Sequence, residues 1–332
     1  MILSFGLTAR VSATALGVHL MQPEEIEDAV KLFNGKLMTD RKMAPTEAQY
    51  YVTVPFPLDH LDKPLEAHER WQKFFDQCQK ENVIPLVRLT TRFNLEKMAW
   101  QIPTRAELVT AIDFLADLDW QSERRHLIVF NEVNHFKEWG GQNDPESYAD
   151  VLNFVINWAQ SRRTDWSILP AAMDLAAGTT ADTQEAFAYL EQVWQARPEI
   201  FDKIDAWNSH SYPNPAFSAP PEKKGQNSLS GFKEELKWWA KKTSREEQEL
   251  TVFITETGWE ENGRTVGRLK SHYQTAWKNV WQADERIVAV TPFVLRGAPG
   301  PFAKFSLLDK NLEPTRQCEA YWGVLEKYRW EF

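Results

Sequence analysis

His126-Leu127-Ile128-Val129-Phe130-Asn131-Glu132 is a short apolar run that stops abruptly on an amide and a carboxylate. A run of that length, closed by polar residues, suits a strand buried on both faces. Beyond it, Tyr148, Val151, Leu152, Val155, Ile156 and Ala159 recur at i, i+3 and i+4, the apolar stripe of a helix. The unit repeats. Similar runs are Ala15–Leu20, Tyr50–Pro55, Val83–Leu89, Ser167–Ala172, Ile204–Asn208, Leu250–Thr255 and Ile287–Phe293. A second clear helical stripe is Val266, Leu269, Tyr273, Ala276, Trp277 and Val280. Thr104 with Glu107 reads as a capping box, and Asp182 with Glu185 as a looser one; Pro23 and Pro145 sit where a helix begins. The runs recur about every 40 residues, and eight strand–helix units of that size make an α/β fold, a single (β/α)8 TIM barrel. An open doubly wound sheet shares the alternation, but it favours a glycine-rich phosphate turn after its first strand. Here that strand runs Gly17-Val18-His19-Leu20-Met21-Gln22-Pro23, with no GxGxxG. Residues 1–332 are expected to form one catalytic domain, with the barrel core at about 15–325.

Composition narrows the function. The 332 residues are 43% hydrophobic, enough for a sizeable core, and the formal charge of −9 disfavours nucleic acid as a partner. No apolar run is long enough to span a membrane. Met1–Leu7 is apolar but short, with no Lys or Arg before it, so it does not read as a secretory leader. Secreted and cytoplasmic locations both stay open. Cys78 and Cys318 fall on helices that are not neighbours, so no disulfide is expected, and a cysteine-based zinc site is ruled out. The seven histidines form no HxH or HExxH pair, and there is no GxSxG elbow. What remains is an acidic, globular enzyme or binding protein, expected to hold no metal and to act as a monomer.

In such a barrel the chemistry sits at the C-terminal ends of the strands. Two carboxylates stand there. Glu132 follows the fourth run and Glu256 the seventh, in Phe253-Ile254-Thr255-Glu256. Desolvating a carboxylate costs free energy unless something uses it. Three units around an eight-stranded ring place the two on nearly opposite walls of one mouth. A separation of about 5–5.5 Å would suit a retaining glycosidase, one group giving a proton to the leaving oxygen and the other attacking the anomeric carbon. The alternative is that each simply pairs with an arginine, Arg88 or Arg296.

Other residues at strand ends extend the candidate site. Tyr212 can donate to a nucleophilic carboxylate and hold it ionised. His210 can orient a carboxyl or bind a sugar hydroxyl. Arg88, inside an apolar strand, needs a buried acceptor. Asn131 can bond a sugar 2-hydroxyl, and His19 ends the first strand. Trp139, Trp259, Phe136 and Phe293 read either as sugar platforms or as rim packing. Ser211–Ser228 carries four prolines and reads as a wall or lid.

These residues resemble the clan A glycoside hydrolases, the (β/α)8 superfamily with glutamates after strands 4 and 7. The likeness rests on Asn131-Glu132, His210-x-Tyr212 and Glu256. It implies Glu132 as general acid/base and Glu256 as nucleophile. It makes Asn131 the partner of the 2-hydroxyl and Tyr212 the donor to the nucleophile, with Arg88 standing in for the arginine often found beside it. It also implies a β-linked oligo- or polysaccharide substrate and no cofactor. Two positions depart from the pattern: Val133 replaces a common proline, and Phe293 stands where a tryptophan commonly floors the subsite. No subfamily follows. A transglycosylase would use the same glutamates, and an inactive sugar-binding barrel would keep the fold.

Overall fold

A computed structural model describes residues 14–38, 47–120 and 122–331; the Met1–Leu7 reading lies outside them. Eight strands carry the fold: β1 (Ala15–His19), β2 (Tyr50–Pro57), β3 (Val83–Thr90), β4 (Arg125–Val129), β5 (Trp166–Pro170), β6 (Trp207–Ser209), β7 (Val252–Ile254) and β8 (Ile287–Val290). Every pairing between them is parallel, in the order β5-β4-β3-β2-β1-β8-β7-β6. The first strand pairs with the last, which curls the sheet into a ring. The seam between β5 and β6 is drawn together by Asp205 N donating to Ile168 O (3.1 Å) and Asn208 Nδ2 donating to Pro170 O (3.1 Å). This is a nearly closed (β/α)8 barrel.

Helices follow the strands: α1 (Ile26–Phe33), α2 (Pro64–Lys80), α3 (Arg105–Asp117), α4 (Pro145–Arg162), α5 (Ala186–Ala196), α6 (Gly231–Thr243), α7 (Leu269–Ala276) and α8 (Arg316–Trp330). Their starts follow the chemistry of the chain. Thr104 and Glu107 form the capping box on α3, and Asp144 caps α4 with Pro145 in its first turn. The looser box is corrected: Glu185 itself caps α5 by accepting from Ala188 N (2.8 Å), while Asp182 lies in the preceding loop. The last stripe is also adjusted. Val266 is exposed ahead of α7, and Trp277 and Val280 lie in a π-helical turn, Trp277–Trp281, that continues it.

The ring is filled rather than hollow. Tyr51, His126 and Phe253 pack against one another inside it, His126 to Phe253 at 4.9 Å between ring centres. Gly17 is required where β1 crosses β2, because a Cβ there would lie 1.8 Å from the Tyr51 carbonyl oxygen. Cys78 and Cys318 are both buried and free. Among the described residues no helix is long and apolar enough to cross a membrane.

Candidate active site

The site begins with strain. Phe130 and Glu132 both adopt left-handed backbone, φ 74° and 36°. Each costs about 1–3 kcal/mol for a residue with a side chain. The turn is held by Glu132 N donating to Ala172 O (2.9 Å) and His135 N donating to Glu132 O (2.8 Å). The Phe130 ring packs on Trp139, with centres 5.3 Å apart. The apolar strand therefore ends by lifting Glu132 over the mouth.

Glu256 arrives from the end of β7 and is almost wholly buried. Its Oε1 accepts from Arg88 Nη1 at 2.5 Å and lies 3.3 Å from His19 Nε2. Its Oε2 accepts from the Tyr212 hydroxyl at 3.2 Å and lies 3.8 Å from His210 Nδ1. Burial alone would raise its pKa. The charges of His210 and Arg88, with the contact to His19, outweigh burial and hold Glu256 well below the usual carboxylate range. Arg88 Nη1 also donates to Asn131 Oδ1 (2.7 Å), so one guanidinium serves the ends of two strands. Arg296, the other arginine considered, pairs with Asp28 instead.

His210 joins the two carboxylates. Its Nδ1 lies 2.9 Å from Glu132 Oε1. Burial pulls this imidazole down, but the charge of Glu256 and then the bond to Glu132 outweigh it and raise its pKa. Burial pushes His19 down to about 4, so that ring is neutral. Burial, with the charges of Glu256 and Glu132, keeps the Tyr212 phenol protonated. Chosen oxygens of Glu132 and Glu256 and a ring nitrogen of His210 all lie within 4.8 Å of one another. That spacing would also suit a cation, but the Arg88 guanidinium already supplies the positive charge beside Glu256, and a second one would be repelled.

Eight of the ten residues expected from the sequence converge here: His19, Arg88, Asn131, Glu132, His210, Tyr212, Glu256 and Phe293, the last with its ring 5.1 Å from His19. Trp139 and Trp259 do not. Both are fully buried. Trp139 donates to Ser147 Oγ (2.8 Å) and packs on Tyr148; Trp259 donates to Ala219 O (2.8 Å) and packs on Tyr273. They are core, because the loops after β4 and β7 fold back onto their helices and bury both faces of the indole. Trp139→Ala should therefore destabilise the protein by about 3–5 kcal/mol. Denaturant melts read that loss. A shift in substrate KM with unchanged stability would contradict the packing role.

The aromatic wall also draws in residues the sequence did not single out. Phe217, Phe302 and Phe305 join Tyr212 and Phe293 in edge-to-face contacts at 4.9–6.3 Å. Phe217 lies in Ser211–Ser228, so that segment does build a wall. It is fixed there by Glu260 N donating to Phe217 O and by Lys223 Nζ donating to Asn214 O. Also unforeseen is a His135–Asp174 pair at 2.8 Å beside Glu132. The signal for it was an empty place: the end of β5 carried no candidate.

In sequence, the chain matches no protein-family model and no curated protein. Solved structures do match. A glucosidase from Croceicoccus marinus aligns with 96% of this chain and 68% of its own at TM-score 0.65 and 9% identity. An endo-β-1,4-glucanase from Xanthomonas axonopodis pv. citri, a triple mutant, aligns with 96% and 100% at TM-score 0.57 and 13% identity. The fold is the one these glycoside hydrolases share. An exo-β-1,4-mannosidase from an Opitutaceae bacterium has it too, at TM-score 0.54 and 10% identity over 96% of this chain and 60% of that one. At such identities the likeness concerns the barrel alone.

Proposed function

We propose that this barrel is a retaining glycoside hydrolase acting on a β-linked oligo- or polysaccharide, with Glu256 as nucleophile and Glu132 as general acid/base. The observation that carries the reading is the pair of carboxyl oxygens within 4.8 Å across one mouth. That is near the separation of about 5–5.5 Å used for double displacement and below the roughly 6.5–9.5 Å used for inversion. The β-linkage is taken over from the endo-β-1,4-glucanase and the exo-β-1,4-mannosidase named above.

In the first step ionised Glu256 attacks the anomeric carbon. The bond to the leaving oxygen breaks, and that oxygen takes the proton carried by Glu132. The proton is held on the His210 Nδ1–Glu132 Oε1 contact. His210 keeps it largely because Glu256 is charged. Once Glu256 becomes an ester that charge is gone, so His210 loses its hold as the leaving group needs the proton. In the second step water attacks the same carbon, Glu132 takes the water's proton and Glu256 departs. Arg88, Tyr212 and His19 keep the nucleophile ionised between turnovers. Both steps are complete with protein side chains and water.

Product stereochemistry tests the reading. Proton NMR of fresh hydrolysate from a panel of aryl β-glycosides should show the β-anomer first. First appearance of the α-anomer would mean inversion and exclude this assignment.

A further inference from the structure

His135 and Asp174 are used by neither step above, yet both stand next to the proton donor. One tight turn carries Glu132 and His135, joined by the backbone bond between them. Asp174 follows the end of β5 and bridges the backbone of His210, the partner of Glu132. His135 Nε2 and Asp174 Oδ2 are 2.8 Å apart, with side chains 23% and 29% exposed. Solvent, and so a ligand, reaches both.

The pair is not needed to tie these loops together. Asn134, fully buried, already does so: its Nδ2 donates to Asp174 O and Gln184 O, and its Oδ1 accepts from Asp174 N. A pair this accessible to solvent, only partly buried, adds little stability to such a brace. The bond to Asp174, opposed by burial, raises the His135 pKa, which favours a ring carrying both protons. Among the described residues His135 Nδ1 has no partner, so one N–H is free to donate. Asp174 accepts from His135 on one oxygen and from Ala176 N on the other, with lone pairs to spare. A donor and an acceptor fixed side by side match two neighbouring hydroxyls of a sugar.

Position says which sugar. Glu256 is surrounded by groups from β1, β3, β6 and β7, and the aromatic wall stands on that side. Glu132 must reach the oxygen between two sugars, so groups beyond it on β4 and β5 meet the departing one. Resting on the glycosidase reading, we propose that the His135–Asp174 pair is the subsite for the leaving sugar, holding two of its hydroxyls while Glu132 protonates the bridging oxygen. By reversal the same pair receives an acceptor sugar.

The test compares His135→Gln and Asp174→Asn with wild type on two substrates sharing one glycone: a 4-nitrophenyl β-glycoside, whose leaving group has no sugar hydroxyls, and the matching β-linked oligosaccharide. For the oligosaccharide, kcat/KM should fall about tenfold or more, as for loss of a charge-assisted hydrogen bond. The aryl glycoside should keep most of its rate. The acceptor-sugar concentration giving half-maximal turnover of the glycosyl-enzyme should rise in parallel. Asp174→Asn keeps shape and one acceptor, and a thermal melt of each variant confirms a native fold. Equal losses on both substrates, or none on either, would overturn the subsite alone. If wild type cleaves neither substrate, the glycosidase reading falls and takes the subsite with it.

Discussion

Glu256→Gln should lower turnover by about 10⁴-fold or more, the scale seen when a covalent nucleophile is removed. The amide keeps the volume of the carboxyl and can still accept from Tyr212 or Arg88. It cannot form the ester. Arg88 loses its buried counter-charge but retains Asn131 Oδ1, so the barrel should still fold. The decisive readout is covalent. A mechanism-based fluoro-glycoside should add one glycosyl mass to the wild-type protein, at Glu256, and none to the variant. Labelling of the variant to the same extent would sink the nucleophile assignment.

Glu132→Gln should separate substrates by their leaving groups. With a sugar or alkyl leaving group the departing oxygen needs the proton, and about 10²–10⁴-fold of rate should go. With a dinitrophenyl leaving group bond cleavage needs little help, and glycosylation should suffer far less. Equal losses on both would count against the acid role. The pH profile gives the sign. In the wild type the proton that His210 holds toward Glu132 is present at low pH and lost as pH rises through the raised pKa of the His210 ring. His210 is raised above its ordinary value of about 6.5, so the basic limb should lie above that point. Glu256 is ionised down to well below the usual carboxylate range, so the acid limb should lie far to the acid side. The variant should lose the basic limb on activated substrates.

The parts legible in the sequence share one physical cause. Glu132 and Glu256 interrupt apolar runs, and a carboxylate there is costly enough to be informative. The even spacing of those runs fixed which strands they end, and a ring of eight then placed them face to face. Arg88 was visible for the same reason. Trp139 and Trp259 misled because an indole after a strand looks the same whether the loop lies open or folds back on a helix. The buried indoles find their partners at Ser147 Oγ and Ala219 O, which no local pattern points to. Phe302, Phe305 and Asp174 were missed because loop conformation brings them to the site, and loops carry no period.

The contact between Arg88 and Asn131 has a consequence for recognition. A guanidinium only donates, so the Asn131 carboxamide must turn its oxygen toward it. The amide nitrogen is thereby left as the end available to a ligand. In the proposed chemistry that polarity acts as a filter. The ring carbon next to the reacting one must bear a group with a lone pair to offer, and a glycone stripped of that oxygen would leave the amide protons stranded.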